Sequence, residues 1–250
     1  MSKRVTIAVI AAATSLTSFS AAKAADLPVE QEYIIEEPVV EYQPSAYYVR
    51  ADCAYAFNQT PDMIVGSRRE HFVQKNGGHI EIENNWACGV GLGTHFAHNF
   101  RIDATVEWRS AFEIEGVRDP SVAGSLGQKT KIQSTVGLVN LYYDIGHYGG
   151  LTPYVGVGAG IAQNKMENVL VPSSGFETFG STKTSFAWAL MAGASYDLGD
   201  RWAIDAGYRY INFGDATSGV WGNDGSAVPA IETADMSAHE IRVGLRYDLW

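Results

Sequence analysis

Apolar and polar residues alternate with a period of two along most of the chain after position 46. This period places successive side chains on opposite faces of a β-strand, whereas a helix would scatter the polar residues around its circumference. The alternation therefore predicts eight strands, at Tyr47–Phe57, Trp86–Phe96, Phe100–Arg109, Thr135–Ile145, Leu151–Ile161, Phe186–Leu198, Trp202–Phe213 and Ile241–Leu249.

One face of each predicted strand is free of Lys, Arg, Asp and Glu, whereas the opposite faces of the strands, taken together, carry charges of both signs. These charged positions are Arg50, Asp52, Arg101, Asp103, Glu107, Arg109, Asp205, Arg209, Glu240, Arg242, Arg246 and Asp248. A soluble sandwich would expose such charges and bury the apolar face. Aromatic residues instead close both ends of the apolar faces, and this favours an inverted arrangement with lipid outside and charges in the lumen. In Thr135–Ile145 we place Asn140 and Asp144 inward.

The connections between the predicted strands alternate in length. Three are short (97–99, 146–150 and 199–201), and four are long and polar (58–85, 113–130, 163–185 and 214–235). Outer-membrane barrels show this asymmetry because their short turns lie in the periplasm and their long loops lie outside the cell. Residues 47–250 are thus predicted to form an all-β, eight-stranded antiparallel transmembrane β-barrel, up-and-down, with four long external loops and three short periplasmic turns.

The segment before the barrel predicts export. Lys3 and Arg4 precede an uncharged apolar stretch, and Ala22-Lys23-Ala24 supplies a small-x-small cleavage pattern, so residues 1–24 are expected to be a signal peptide. Its removal would change the net charge from −10 to about −13. Positions 25–46 carry acids and prolines without a basic residue, which predicts an extended acidic periplasmic linker. The expected location is the cell outer membrane.

Composition removes two further classes of protein. Past residue 24, no stretch approaches the roughly 18 to 20 apolar residues that a membrane-spanning helix needs. A polytopic helical membrane protein is therefore excluded. The chain is acidic and has no run of Lys or Arg, so it lacks the basic surface of a nucleic-acid-binding protein.

Five segments carry a resemblance to a known family. They are Ala24-Ala-Asp-Leu-Pro28, Asn140-Leu-Tyr-Tyr-Asp144, Thr152-Pro-Tyr-Val-Gly-Val-Gly158, Tyr208-Arg-Tyr210 and His239-Glu-Ile-Arg-Val-Gly-Leu-Arg-Tyr247. In these segments the chain resembles the eight-stranded outer-membrane surface-antigen barrels of alphaproteobacteria, a "porin family" group related to the opacity proteins and the OmpA barrel. The resemblance implies a C-terminal assembly signal for the barrel-insertion machinery, formed by Val243, Gly244, Leu245, Tyr247, Leu249 and Trp250. The family usually ends on an outward aromatic, whereas here Leu249 holds that phase and Trp250 lies one position beyond it.

Cys53 and Cys88 lie on neighbouring predicted strands, both on the lipid-facing side. Export brings them into an oxidising compartment, where disulfides form. Disulfide geometry is demanding, however, and two small apolar side chains fit the same positions. The sequence leaves both alternatives open.

Two side-chain clusters are candidates for chemistry, and neither pattern is complete. Ser237 and His239 share a strand face, but Glu240 points to the other face and leaves the imidazole without an orienting carboxylate. The spacing of His95 and His98, considered together with Asp103, suits a metal site on a helix, whereas a strand end and turn are predicted there. We therefore expect no catalytic site, no metal and no cofactor.

The favoured function is structural and interfacial: the barrel stabilises the envelope and displays its loops outside the cell. Eight strands enclose an interior only just wide enough for side chains, so the lumen charges are expected to close it as ion pairs. The expected partners are outer-membrane lipid and lipopolysaccharide, the barrel-insertion machinery and an unidentified external ligand. A narrow channel for small solutes is the alternative, and a lipid-modifying barrel enzyme is a remote third hypothesis.

Overall fold

A computed structural model of the chain describes residues 47–65, 79–97, 99–117, 128–171, 175–227 and 230–249. The predicted signal peptide and acidic linker lie outside the described residues. The described residues form strands β1 (Tyr47–Asn58), β2 (Asp62–Val65), β3 (His79–Ile82), β4 (Asn85–Ala97), β5 (Phe100–Val117), β6 (Gln128–Asp144), β7 (Leu151–Met166), β8 (Val169–Val171), β9 (Phe176–Thr178), β10 (Ser181–Gly199), β11 (Trp202–Thr217) and β12 (Ile231–Asp248).

The eight long strands form a closed antiparallel barrel. Going round the wall, the order is β1, β4, β5, β6, β7, β10, β11 and β12, and β12 pairs with β1 to close the sheet. The short strands β2 and β3 pair with β12 and β5, respectively, at the external end. The predicted fold class, an all-β eight-stranded antiparallel barrel, is therefore confirmed. The described residues contain no helix that is both long and apolar enough to cross a membrane.

The two faces of the wall differ as the alternation predicts. On β12, Ile241 and Val243 face outward and expose 60% and 53% of their surface, whereas Glu240 faces inward and is fully buried. The predicted phase of Thr135–Ile145 also agrees with the structure, since Val139 is exposed and Asn140 is buried. Outward apolar side chains without charges form the band that lipid covers in an outer-membrane barrel.

The polarity of the two faces inverts towards the external end of the barrel. On β5 the outward face changes from exposed Trp108 to Glu113, while the inward face changes from buried Arg109 to buried Phe112. A bulge between Arg109 and Phe112 shifts the pairing with β6 at this point. A wall with polar residues outside and apolar residues inside is typical of a barrel in water. We infer that β5 leaves the bilayer near Ser110.

Several predicted strand ends are wrong on the external side. β5 continues to Val117, β6 begins at Gln128 and β12 begins at Ile231, so parts of the predicted loops 113–130 and 214–235 are strands. The alternation of apolar outward residues stops at the bilayer boundary, whereas the backbone pairing continues beyond it. The predicted loops 58–85 and 163–185 likewise contain four short strands, and residues 118–127 lie outside the described residues.

A cluster of buried apolar residues lies on the inward face of the wall towards its external end, and the sequence alone did not predict it. Its buried members are Ala56, Phe112, Ile114, Ile132, Val136, Leu138, Ala162, Met166, Val169, Ala187, Ala189, Ile211, Phe213, Ala216, Ile231, Met236 and Ala238. We call this group the external core. The external core packs directly above the charged part of the lumen, because the Cζ atom of Arg109 lies 4.7 Å from the centre of the Phe213 ring.

Candidate functional site

The lower, periplasmic part of the lumen holds a network around Arg50. Its Nε donates to Asp52 Oδ2 at 3.0 Å, and its Nη1 donates to Asp103 Oδ2 at 3.1 Å. Asp103 also accepts hydrogen bonds from the Tyr48 hydroxyl at 3.2 Å and from Asn140 Nδ2 at 2.7 Å. The buried Asp103 carboxylate of β5 is thus bound by side chains from β1 and β6.

Arg101 pairs with Asp144, a residue that the alternation placed inward but that we did not include among the charged lumen positions. The guanidinium donates from Nε to Oδ2 at 2.9 Å and from Nη2 to Oδ1 at 2.8 Å, and both side chains are buried. The rings of Tyr142 and Tyr154 each lie 5.1 Å from Arg101 Cζ. Such two-point geometry is strong because both hydrogen bonds are charge-assisted. The shared parity of Asn140 and Asp144 on β6 is the sequence signal that places Asp144 on the inward face.

Arg246 is held less tightly than the other lumen arginines. Its nearest carboxylate oxygens, on Asp205 and Asp248, both lie 3.9 Å away, beyond hydrogen-bond distance. Nη2 donates to the Ser195 hydroxyl at 3.1 Å, while Nε and Nη1 have no hydrogen-bond partner. Arg246 is therefore the lumen arginine that lies farthest from its carboxylate partners.

A compact cluster of four charges lies at the middle of the lumen. Glu240 Oε1 accepts from Arg109 Nη1 at 2.5 Å, and its Oε2 accepts from Arg209 Nε at 2.5 Å. Glu107 accepts from Arg209 Nη2 at 2.6 Å and from Arg109 Nη1 at 3.1 Å. All four side chains are buried, and charges of opposite sign alternate around the cluster. We call this group the central charge cluster.

Arg242 joins the central charge cluster to the lower network. Its Nη2 contacts the Asp52 carboxylate and lies 3.7 Å from Glu107 Oε2. Two tyrosines link the remaining charges to this group. Tyr142 accepts a hydrogen bond from Arg50 and packs against Arg101. Tyr48 donates to Asp103 and packs against Arg246. Buried charges are tolerated only when they are paired and hydrogen-bonded, and this arrangement meets that condition at most positions.

Glycine on β4, the strand between β1 and β5, makes room for the lower network. A Cβ atom at Gly91 would lie 2.7 Å from Thr105 Cγ2 and 3.1 Å from Arg50 Cγ. These distances leave no space for a side chain, so the arginine occupies the volume that glycine frees. The small inward residues of β4 are thus required by the long side chains of β1 and β5.

The two cysteines are directly opposite each other on β1 and β4. Cys53 pairs in register with Cys88, their Cα atoms are 4.1 Å apart, and the two residues form a disulfide. Both lie on the outward face below Tyr55 and Trp86, whose rings are 5.0 Å apart. The disulfide therefore fixes the register of the first pair of long strands within the apolar band.

The structure does not assemble the candidate Ser-His-Glu triad. The Ser237 hydroxyl donates to Gln59 Oε1 at 3.0 Å. The His239 imidazole contacts Gln59 Nε2 at 2.5 Å through its Nε2, and the Tyr208 hydroxyl through its Nδ1. Glu240 lies on the opposite side of the wall, in the central charge cluster. His239 is consequently part of a polar and aromatic rim on the outer surface.

The described residues considered for a metal site make other contacts. The His95 ring packs against Tyr48 with ring centres 5.2 Å apart, and Asp103 accepts hydrogen bonds in the lower network. His98 lies outside the described residues. Within the described ranges, no group of three or more His, Cys, Asp or Glu side chains is placed to hold a metal ion.

The C-terminal residues assigned to the assembly signal occupy the end of β12. Val243 and Leu245 face outward, and Gly244 faces inward against Asp52. The Tyr247 ring lies 4.7 Å from that of Trp202, and the backbone N–H of Leu249 donates to the Tyr47 carbonyl at 2.9 Å. Trp250 lies outside the described residues. The described part of this predicted signal thus presents an outward apolar and aromatic face at the periplasmic end.

Comparisons with known proteins agree with this architecture. An uncharacterized protein of Brucella suis biovar 1 is 30% identical over 282 residues, covering 93% of this chain and 94% of its own. The outer membrane protein PagN of Salmonella typhimurium is 34% identical over 136 residues, covering 50% of this chain and 56% of its own. The crystal structure of the outer membrane protein OprG from Pseudomonas aeruginosa matches with a TM-score of 0.54 at 16% identity, covering 82% of this chain and 97% of OprG.

The family comparison covers almost the whole chain. The family described as "Outer membrane protein beta-barrel domain" matches residues 11–248. This range includes every described strand, and the outer-membrane location predicted from the alternation is confirmed by it. The chain belongs to the family of outer-membrane β-barrel proteins.

Proposed function

We propose that this outer-membrane protein is a closed, non-conducting barrel with a structural and interfacial role in the envelope. The observation that carries this proposal is the stacking of two different fillings in one narrow lumen. The connected charges occupy the lower and middle parts, and the external core occupies the part above. Water-filled porins have about 16 strands, whereas eight strands leave room only for side chains.

The two fillings resist opening for different physical reasons. Moving an arginine out of the central charge cluster leaves a buried carboxylate without its partner. Such a loss of pairing typically destabilises a protein by about 3 to 5 kcal/mol. Moving Phe112 or Phe213 breaks apolar packing at a place where neither side chain exposes more than 2% of its surface. A solute would have to displace both groups, and this supports a barrel that holds its shape and acts through its surfaces.

The same proposal includes the partners of those surfaces. Outer-membrane lipid and lipopolysaccharide would cover the charge-free outward band, and the barrel-insertion machinery would bind the end of β12 during assembly. The regions beyond the external core would face the outside of the cell, where they are available to other molecules.

Single-channel recording of the refolded protein in a planar bilayer tests the proposal. We expect no steady conductance from the wild-type protein, with its shift in SDS mobility on boiling as proof that folded barrels were used. The variant Arg246→Ala removes a side chain below the central charge cluster and leaves that cluster and the external core intact, so it should also remain silent. A steady wild-type conductance would contradict the proposal and support the narrow channel for small solutes.

A further inference from the structure

The Cys53–Cys88 disulfide lies inside the apolar band, on the face of the wall that lipid covers. The outward residues of β1 run from Tyr47 at the periplasmic end to Phe57 at the external end, and Cys53 lies between them. Strand residues at about 3.3 Å each, tilted by about 40°, span the roughly 25 Å band of an outer-membrane barrel over this length. The four residue steps from Cys53 to Phe57 then place the sulfur atoms about 10 Å below the external edge of the band.

Apolar side chains surround the disulfide on this face. Val243 of β12 is directly opposite Cys53, and Trp108 of β5 is directly opposite Cys88. Both neighbours are outward residues with more than half of their surface exposed, and both line a shallow groove that includes the two cysteines. Asp52 is next to Cys53 in the chain, but its carboxylate belongs to the lower network on the opposite face. In the bilayer, hydrocarbon chains therefore cover the sulfur atoms.

Hydrocarbon is an unfavourable place to make this bond. The thiolate is the nucleophile of thiol–disulfide exchange, and the oxidant must reach its sulfur. Moving an isolated charge out of water is strongly unfavourable, so hydrocarbon excludes both the thiolate and a polar oxidant. The chemistry that produces the disulfide therefore belongs to water.

The exported chain meets both conditions before it folds. Every strand is then in water, and the periplasm is an oxidising compartment. The two cysteines are separated by only 35 positions, so the unfolded chain can bring them together at a modest cost in loop entropy.

We propose that the Cys53–Cys88 disulfide forms before the barrel enters the membrane, with the unfolded exported chain as the substrate of a periplasmic thiol oxidase that carries a protein disulfide. One cysteine thiolate attacks the oxidase disulfide, forms a mixed disulfide and releases the first oxidase thiolate. The other cysteine thiolate attacks the bound cysteine sulfur, forms the Cys53–Cys88 bond and releases the second oxidase thiolate. The two cysteines lose two protons and two electrons, and the oxidase disulfide is reduced to a dithiol.

Early oxidation also fixes a register before the sheet forms. Cys53 and Cys88 are directly opposite in the β1–β4 ladder, so the bond allows only the native register of this strand pair. β1 is also the strand whose other edge closes the barrel with β12. The oxidised chain thus reaches the membrane with one pair of wall strands already matched.

Refolding of the reduced protein from urea into phosphatidylcholine vesicles tests the order of the two events. Oxidised glutathione, a charged and water-soluble disulfide, is added either before the vesicles or after folding is complete. The SDS mobility of the unboiled sample shows that the barrel is folded, and free thiols are counted by maleimide labelling after denaturation. We expect oxidant added first to leave no free thiol, and oxidant added last to leave both cysteines free.

The matched control carries a cysteine pair above the bilayer. Glu113 of β5 is directly opposite Lys131 of β6, beyond the polarity inversion, and their side chains are 30% and 54% exposed. The control variant combines Glu113→Cys and Lys131→Cys with Cys53→Ser and Cys88→Ser. Glutathione added after folding should consume both of its thiols, either as a disulfide between the strands or as mixed disulfides.

Pulse labelling in a Gram-negative host tests the same order during export, with acid quenching to trap the free thiols. Chains that have not yet acquired the fast unboiled mobility should already lack free thiols. A folded barrel that first carries two free thiols and loses them later would overturn the proposal. Loss of the Cys53 and Cys88 thiols in folded vesicle samples as fast as in the control pair would also overturn it, because it would show that water and oxidant reach the sulfur atoms.

Discussion

The central charge cluster predicts a large loss of stability when one carboxylate is neutralised without a change in size. In Glu240→Gln, Arg109 and Arg209 lose the carboxylate that accepts a hydrogen bond of 2.5 Å from each of them. Only Glu107 then remains for two buried guanidinium groups. Removing one partner of a buried ion pair typically costs about 3 to 5 kcal/mol, because the other charge stays buried and unpaired.

The assay is urea unfolding of the barrel in lipid vesicles, followed by the loss of the fast-migrating unboiled band in SDS gels. With a slope of about 2 kcal/mol per molar urea, the expected loss lowers the midpoint by about 2 M. The matched control is Glu113→Gln on the outward face, where Lys129 Nζ lies 3.6 Å from the carboxylate and the two side chains are partly exposed. Such an exposed pair contributes about 0 to 1 kcal/mol.

The double variant Arg109→Met, Glu240→Gln separates the loss of pairing from a general defect in packing. It removes one charge of each sign, so Arg209 keeps Glu107 as its partner. We expect it to be more stable than Glu240→Gln alone, as replacement of both members of a buried pair is often tolerated. Equal midpoint shifts for Glu240→Gln and Glu113→Gln would refute the reasoning, because they would show that burial does not affect the loss.

Three further predictions concern the rest of the barrel. Thiol labelling of the denatured, unreduced protein should find no free thiol, and two labelled thiols would disprove the disulfide. The double variant Cys53→Ser, Cys88→Ser should lower the unfolding free energy by about 3 to 4 kcal/mol, because the disulfide closes a loop of 35 residues. Phe213→Ala should cost about 3 to 5 kcal/mol in urea unfolding, as expected for a buried aromatic in the external core, and a change below about 1 kcal/mol would show that this core is not packed. Carbonate washing should leave the protein in the membrane fraction, and complete extraction would contradict an integral barrel.

Residue alternation was sufficient to predict the fold within the bilayer. The outward face of β12 contains Ile241, Val243 and Leu245 without a charge, and any one-residue slip would place Arg242 in lipid. This penalty fixes the phase of each long strand, so inward positions could be identified from the sequence. The pairing partner of each charge depends on which strands are neighbours and on their register. Asp144 was therefore recognised as inward but not as the partner of Arg101.

Beyond the bilayer the same alternation has two meanings. Phe112 and Ile114 alternate with Glu113 and Glu115, a pattern that fits either orientation of the strand. Only the continuation of β5 past its bulge shows that the apolar residues now face inward, and the predicted strand therefore ended too early. The short external strands β2, β3, β8 and β9 had no comparable signal, because they are too short to show a period.

The disulfide illustrates the same limit at one position. Neighbouring strands and a shared lipid-facing side could be predicted for Cys53 and Cys88. Their direct opposition depends on the register of β1 with β4, which the intervening residues 59–84 do not determine from sequence. A shift of two residues would keep both cysteines facing lipid and would move them too far apart to bond.

Thiol accessibility of single introduced cysteines tests most directly whether the lumen is closed and where the bilayer ends. The native disulfide is retained, and one free thiol is introduced by Ala104→Cys, Ala111→Cys or Ala189→Cys. Ala104 and Ala111 are exposed on the outward face of β5, below and above the polarity inversion, whereas Ala189 is 1% exposed on the inward face of β10. A charged, water-soluble maleimide should label Ala111→Cys in the folded barrel and leave the other two unlabelled until denaturation. Labelling of folded Ala189→Cys as fast as Ala111→Cys would show a water-filled lumen and contradict the account.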